Sequence, residues 1–349
     1  GDEFGVLLEN CSLVQAQEIA EKIKDVVQEF RFAWEGKMFK VGASVGVVGI
    51  SEHCPSVAEI LSDADAACYA AKDAGRNCVK VHNPTDDALS HQRREMQWAT
   101  HIHQVLDDNR FKLFLQQICP LNGGLTCHWE ILLRLEDEKG RLILPGAFIP
   151  AAERYGLMKN IDRWVLRSVL RQIYEHTRLT SRTFPMIAVN LSAASLSDET
   201  FLYFVREQFD EWEIDASRIC FEITETAAIT NFTRARSFIL EMKLIGSQFA
   251  LDDFGSGMSS FGYLKSLPVD FLKIDGAFVS GIVQNTVDHA MVDSINKIGH
   301  LMGIQTIAES AEDKEIVDKL WHMGVDFAQG FAIHRPIALE SFFESLSPS

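Results

Sequence analysis

No apolar run in this sequence approaches the ~18–20 residues a membrane-spanning helix needs, and no basic leader precedes an apolar stretch. Cations are scarce: 33 Lys and Arg stand against 49 Asp and Glu, for a net charge of −16. A field of that sign repels extended polyanions, which excludes general binding to a nucleic acid polymer. It leaves room for a small anionic substrate, because bound cations invert the potential locally. The seven cysteines are odd in number, scattered and free of any C-x-x-C spacing. Neither a zinc site nor a disulfide framework is indicated, and buried thiols in a reducing cytosol are expected. Low-complexity segments and short repeats are also absent. What is present is an ordinary globular composition, 47% hydrophobic and 23% charged over 349 residues, enough for two domains or one large barrel with an appendage. The first residues read as the inside of a structural motif, so the chain is expected to be a piece of a longer protein. A cytoplasmic location follows, either free or as the cytoplasmic part of a membrane-anchored protein, with no membrane contact within this segment.

Residues 1–84 read as a small α/β unit. After the apolar run Phe4 to Leu8, an amphipathic helix is predicted over Leu13–Phe30. A hairpin-like pair follows, Phe32–Trp34 and Phe39–Ile50, joined at Glu35-Gly36-Lys37. A second helix runs from Val57 to Ala74, with Gly75 as a left-handed C-cap, and Cys78–His82 is a short strand. Asn83-Pro84 marks a turn, and the charged stretch 85–110 reads as a linker helix. From Phe111 to the end, strand and helix alternate. Strands are predicted over Phe111–Ile118, His128–Leu135, Pro185–Leu191, Arg218–Thr224, Gln248–Asp252, Phe271–Ile274, Gly303–Ile307 and Val325–Ala328. Helices are predicted over Ile161–Tyr174, Ser197–Phe209, Thr233–Leu244, Asp288–Leu301 and Lys314–His322. The strands are short apolar runs, as parallel strands covered on both faces should be. The fold class is therefore α/β: a (β/α)8 TIM-type barrel over 111–349 with a small N-terminal α/β fragment.

Nearly every predicted strand ends in a polar residue: Glu130 lies in the second strand, and Asn190, Glu222 and Glu225, Asp252-Asp253, Lys273 and Asp275, Glu309, and Gln329 fall at the ends of later ones. Any one of these acids is readily explained as a helix N-cap or a turn former. The set is not, because barrel strand ends converge on one face, and clustered carboxylates repel unless cations neutralise them. Oxygen ligands with one amide suit Mg2+ or Mn2+, and the adjacent Asp252 and Asp253 suggest two divalent cations with Asp252 between them. Lys273 among these acids either stabilises developing charge or forms a structural ion pair. Glu309 either takes a proton from water or joins the second cation.

The ordered motifs resemble the EAL family of bacterial cyclic di-GMP phosphodiesterases over about Phe111 to Pro336. They are Glu130-Ile131-Leu132-Leu133-Arg134, Phe148-Ile149-Pro150-Ala151-Ala152-Glu153, Val189-Asn190-Leu191-Ser192, Glu222-Ile223-Thr224-Glu225 and Asp252-Asp253-Phe254-Gly255-Ser256-Gly257. Leu267-Pro268-Val269-Asp270, Lys273-Ile274-Asp275, Ile307-Ala308-Glu309 and Gln329-Gly330-Phe331 complete the series. The resemblance implies hydrolysis of cyclic di-GMP to linear pGpG by a two-metal mechanism. It implies Glu130, Asn190, Glu222 and Asp252 as ligands of one metal, and Asp252, Asp253 and Glu309 of the other. Lys273 would hold the attacking water, and Glu225 would fix the loop after Asp252-Asp253, which in the family couples the site to a homodimer formed through the barrel. Gln116, Arg134, Ser192, Glu312 and Gln329 would contact the phosphates or guanines. The apolar face of Phe254, Met258, Phe261, Tyr263 and Leu264 is expected to be part core and part interface.

Four positions depart from the family pattern. Ile131 replaces the alanine of Glu-Ala-Leu, Ser310 replaces a glycine in Ala308-Glu309-Ser310-Ala311-Glu312, Gln117 stands for proline and Met258 for tyrosine. None removes a ligand. Residues 1–82 resemble the C-terminal half of a GGDEF diguanylate cyclase domain, on Gly1-Asp2-Glu3-Phe4, Ala43-Ser44-Val45-Gly46, Ala64-Asp65-Ala66-Ala67-Cys68-Tyr69 and Ala71-Lys72-Asp73-Ala74-Gly75-Arg76-Asn77. This half is expected to act as a regulatory appendage without cyclase activity. The alternative to a phosphodiesterase is a cyclic di-GMP receptor or scaffold that binds without cleaving.

Overall fold

A computed structural model of the chain describes residues 4–34, 37–40, 42–50, 57–74, 77–82, 98–123, 126–180, 184–255 and 261–346. The expectations at Asp2-Glu3, Glu35-Gly36, Gly75, Asn83-Pro84, residues 85–97, and Ser256, Gly257 and Met258 lie outside the described residues. The chain divides into two compact units, Gly1–Gln97 and Trp98–Ser349.

In the first unit, helix Leu13–Glu29 starts at a capping box. Ser12 Oγ accepts from the Gln15 amide while the Gln15 side chain accepts from the Ser12 amide. The second helix spans Val57–Asp73. One expectation needs correcting: Phe39–Ile50 is not a single strand. Lys37–Lys40 pairs antiparallel with Arg31–Trp34, whereas Val45–Val47 pairs parallel with Val79–Val81. The two halves take different partners, so residues 42–44 between them carry no ladder.

The second unit is a closed ring of eight strands: β1 (Phe111–Pro120), β2 (His128–Glu136), β3 (Ile187–Asn190), β4 (Ile219–Thr224), β5 (Gln248–Phe254), β6 (Phe271–Ile274), β7 (Gln305–Ala308) and β8 (Phe327–Ala328). Neighbours from β2 to β8 run parallel, as expected for apolar runs buried on both faces. The first strand does not: β1 is antiparallel to both β2 and β8. The connection from Pro120 to His128 is shorter than the roughly dozen residues a parallel crossover requires, so these strands form a hairpin.

The five predicted barrel helices lie between strands, at Met158–Thr180, Glu199–Glu211, Phe232–Leu244, Thr286–Leu301 and Lys314–His322. Residues 98–107, expected as the end of a linker helix, are helical and bury Ile102 and Val105 in the core of this unit. Phe254 and Leu264 are also core. No helix among the described residues is long and apolar enough to cross a membrane.

Two apolar layers result. The larger fills the space between strands and helices; the smaller, inside the ring, consists of Ile118, Ala188, Cys220, Ala250, Phe271, Ile307 and Phe327. Of the six described cysteines, all free, only Cys220 is fully buried, so the expectation of buried thiols holds for that one alone.

His128 completes the inner floor, with its ring 5.2 Å from that of Phe271 and 4.7 Å from that of Phe327. Burial pushes its pKa down to about 4. A lowered folded pKa means that the unfolded chain takes up the proton first. The contribution of His128 to stability is therefore lost as pH falls from about 6.5 towards 4, by about 2 kcal/mol at pH 5. His128→Leu is expected to flatten that loss in urea unfolding at pH 7.5 and pH 5. An unchanged pH dependence in the variant would remove His128 as its source.

Candidate active site

Alternation along a strand returns every second side chain to the same face. Two residues beyond each member of the inner layer stands a polar residue: His128 leads to Glu130, Ala188 to Asn190, Cys220 to Glu222 and Ala250 to Asp252. In the same way Phe271 leads to Lys273, Ile307 to Glu309 and Phe327 to Gln329. On β1, which runs the other way, the step is backwards, from Ile118 to Gln116. The polar set is thus the second interior layer of the barrel, above an apolar floor: at or near the C-terminal ends of β3 to β8, with Glu130 as the third residue of β2 and Gln116 on the antiparallel β1.

At its centre is Lys273, 1% exposed. Its Nζ lies 2.7 Å from Glu222 Oε2, 2.8 Å from Glu309 Oε1, 3.1 Å from Asp252 Oδ1 and 3.5 Å from Glu130 Oε2. Glu130 is held from two further sides: Asn190 Nδ2 donates to Oε1 and Gln329 Nε2 to Oε2, both at 2.7 Å. Gln329 Nε2 also lies 3.2 Å from Gln116 Oε1, and Gln116 Nε2 donates to the His334 carbonyl at 3.0 Å.

Asp253 would point away from Asp252 in a regular strand. It has φ +55°, and the pairing of β5 with β6 slips between Leu251 and Phe254. That bulge turns the carboxylate back to the mouth, where Asp252, Asp253 and Glu309 each offer an oxygen within 4.8 Å of the others.

Four carboxylates around one ammonium cannot all ionise cheaply. Burial and the repulsion of Glu130 push the Glu222 carboxyl well above the usual range. Burial raises Glu309 to about 8 despite Lys273, and burial with the charge of Asp252 raises Asp253. Burial works against Glu130 as well, but Lys273 and the donors Gln329 and Asn190 outweigh it and leave that pKa low. Lys273 stays protonated, since its acidic neighbours overcome its desolvation. Glu222 Oε1 is buried with no hydrogen-bond partner. An excess of acid and an unpartnered buried carboxylate oxygen fit hard divalent cations. The residues able to hold them are Glu130, Asn190, Glu222, Asp252, Asp253 and Glu309.

Glu225 is not in this cluster. It opens the short helix Glu225–Thr230, is buried, and accepts from the Gly255 amide at 3.1 Å and from the Tyr263 hydroxyl. It therefore braces the backbone leaving Asp253. Among the expected substrate contacts, Gln116, Glu312 and Gln329 line a cleft of about 260 Å³ with Glu130, Glu309 and Phe331. Arg134 donates to the Leu133 carbonyl at 2.7 Å and lies over the Phe114 ring.

Ser192 instead gives its hydroxyl to Asp162 at 2.6 Å, as does Ser195, and the Ser192 amide donates to the same oxygen at 3.0 Å. Asp162, buried and with its pKa raised by desolvation, anchors the turn after Asn190. The sequence reading missed it, although a signal existed: Asp162 shares the apolar stripe of its helix with Val165, Leu166 and Val169.

Carboxylates at successive strand ends around one buried ammonium define an acid-lined barrel whose chemistry belongs at its C-terminal face. Sequence comparison narrows this class: the chain belongs to the EAL domain family, which matches residues 99–336, and the diguanylate cyclase GGDEF domain family matches residues 1–78. It is 39% identical over 346 residues to the cyclic di-GMP phosphodiesterase PdeB of Shewanella oneidensis, covering 99% of this chain and 40% of PdeB. The cyclic di-GMP phosphodiesterase PdeF of Escherichia coli is 34% identical over 248 residues, 71% of this chain and 32% of PdeF. The chain thus spans less than half the length of either relative. Among solved structures, the FimX EAL domain from Pseudomonas aeruginosa bound to c-di-GMP superposes with a TM-score of 0.63 at 27% identity, over 68% of this chain and 96% of that one. The MucR phosphodiesterase in complex with c-di-GMP gives a TM-score of 0.66 at 31% identity, over 70% of this chain and 99% of that one.

Proposed function

We propose that this chain hydrolyses cyclic di-GMP to linear pGpG, with Mg2+ or Mn2+ held at the strand ends. The observation that carries the proposal is the buried Lys273 ammonium in contact with Glu130, Glu222, Asp252 and Glu309, beside an unpartnered oxygen of Glu222. The PdeB and PdeF names and the ligands of the FimX and MucR structures supply the substrate class. In this reading Glu130, Asn190, Glu222 and Asp252 hold one cation, and Asp252, Asp253 and Glu309 hold the other. Bound there, the cations would neutralise the scissile phosphate and activate the attacking water.

The residues of the chain do the rest. Lys273 fixes the attacking water, and Glu309, 2.8 Å from Nζ, takes its proton once cation charge has offset the neighbouring acids and left this carboxylate ionised. The bond from water oxygen to phosphorus forms in line as the bond to the 3′ oxygen breaks; that oxygen takes a proton from solvent, and Glu309 returns its proton to solvent. Gln116, Arg134, Glu312 and Gln329 orient the dinucleotide. Ser192, engaged by Asp162, shapes the Asn190 turn rather than reaching substrate. Residues 1–84 serve as a regulatory appendage, and Glu225 ties the loop after Asp253 to a homodimer formed through the barrel.

The direct test incubates purified protein with cyclic di-GMP and Mn2+ and resolves the products by chromatography. Accumulation of pGpG is expected. Ligand that binds in Ca2+ yet persists uncleaved in Mn2+ would favour the receptor alternative, and failure to bind in either would sink both readings.

A further inference from the structure

The residue after Glu309 occupies a backbone state unfavourable to its type. Ser310 has φ +52°, a left-handed conformation that costs a non-glycine residue roughly 1 kcal/mol. The residue lines the cleft beside Glu309 and Glu312. Opposite it, a Cβ placed on Gly276 would lie 2.2 Å from Ser310 Oγ and 2.7 Å from Ser310 Cβ; the third neighbour within 4 Å, at 3.9 Å, is Ser310 Cα. Gly276 is not among the positive-φ glycines, so its own backbone does not require glycine, and all three of its nearest neighbours belong to Ser310. The Ser310 hydroxymethyl fills the notch that a missing side chain leaves at the start of helix Gly276–Val279.

The other flank of the turn is closed by a second near approach. A Cβ on Gly330 would lie 2.2 Å from the Ala311 carbonyl oxygen. The Ala311 amide donates to the Gln329 carbonyl at 2.9 Å and the Gln329 amide to the Ala308 carbonyl at 2.8 Å. The turn 309–311 is therefore seated between the chain leaving β6 and the chain leaving β8, and Glu309 rides on it.

We infer that Ser310, lodged in the notch at Gly276, is a positioning residue that holds the Glu309 carboxylate against Lys273, Asp252 and Asp253. The inference deepens the proposed function and rests on it. A shift of the turn by about 1 Å would break the 2.8 Å contact between Glu309 and Lys273, and displacements of that size are enough to cost ~10²-fold in rate.

A double-variant cycle tests it. Gly276→Ala is expected to lower kcat about 10- to 100-fold and weaken Mn2+ binding by calorimetry about 10-fold, with KM moved less than about threefold. Ser310→Gly empties the notch, with a loss of about threefold. The double variant Gly276→Ala/Ser310→Gly puts a methyl group where the serine side chain stood, and should return kcat and Mn2+ binding to within about threefold of the wild type. Two independent destabilising changes would add rather than cancel. A double variant as impaired as Gly276→Ala alone would overturn the inference, as would Gly276→Ala with wild-type kcat and Mn2+ affinity. If Gly276→Ala fails to fold while the double variant folds, the clash with Ser310 is confirmed as the cause. Wild-type protein that binds Mn2+ but cleaves nothing would refute the phosphodiesterase reading alone, because the Mn2+ cycle still reads the Ser310–Gly276 pair without turnover.

Discussion

Glu130→Ala is expected to abolish release of pGpG in Mg2+ or Mn2+, a loss of at least ~10³-fold. Three donors converge on this buried carboxylate: Asn190 and Gln329 at 2.7 Å and Lys273 at 3.5 Å. Truncation removes one acceptor from each: Lys273 keeps Glu222, Asp252 and Glu309, and Gln329 keeps Gln116 at 3.2 Å. The loss is of good hydrogen-bond geometry and of packing around a buried side chain, about 1–3 kcal/mol in all. The alanine variant should therefore also melt at a lower temperature. Glu130→Gln separates charge from packing: it keeps the volume and one acceptor but removes the negative charge a cation requires. It should melt closer to the wild type than the alanine variant does, and still release no pGpG. Undiminished turnover by the alanine variant, measured by chromatography, would discard the assigned site. Turnover by Glu130→Gln would show that the carboxylate acts only as a hydrogen-bond acceptor.

The features behind that prediction were legible in the sequence to different depths. Strand limits were read to within about two residues, because a parallel strand buried on both faces is an unbroken apolar run stopped by a polar residue. Phe271-Leu272 followed by Lys273 is one example, and Ile219-Cys220-Phe221 followed by Glu222 is another. Glu222, Asp252 and Glu309 each follow a short apolar run, whereas Glu130, the third residue of β2, has no such mark. Most of the second interior layer could thus be read without coordinates. Side-chain direction at irregular backbone could not. Glu225 stands three residues from Glu222, but helix Glu225–Thr230 begins there and carries its carboxylate towards Gly255 and Tyr263, a role in fixing that loop which the family resemblance implied and spacing alone did not. Asp253 joins the mouth only because a bulge and a left-handed φ override alternation. The short segments Ile149–Arg154 and Ala193–Leu196 span under two turns, too little for a helical period to register. The reversed β1 was missed for another reason: its apolar run looks like the others, and the sign lay in the short connection to His128. The fit of Ser310 to Gly276 joins residues far apart in sequence through a side chain and the absence of one, which no local pattern records.

Lys273→Met is expected to change stability as much as turnover. The ammonium is the only cation that Glu130, Glu222, Asp252 and Glu309 share among the described contacts. Like charges about 4 Å apart at an effective dielectric of 20 repel by about 4 kcal/mol per pair. Without the lysine, the folded barrel must take up protons or bind cations. Glu309 already sits at about 8 with Lys273 in place, and loss of that partner drives it and Glu222 higher. A carboxylate whose folded pKa is raised above its unfolded value stabilises the fold increasingly as pH falls through the folded pKa. In EDTA, the variant should therefore melt well below the wild type at pH 8 and approach it at pH 6. Mn2+ at pH 8 should restore more melting temperature to the variant than to the wild type, because divalent cations replace the missing charge. Turnover should nevertheless remain down by ~10²- to 10³-fold under saturating Mn2+, since the group that fixes the attacking water is gone. If the variant melted like the wild type in EDTA at pH 8, the four acids would not depend on Lys273 for their charge balance. Wild-type turnover under saturating Mn2+ would leave the lysine as a structural ion pair and remove it from the chemistry.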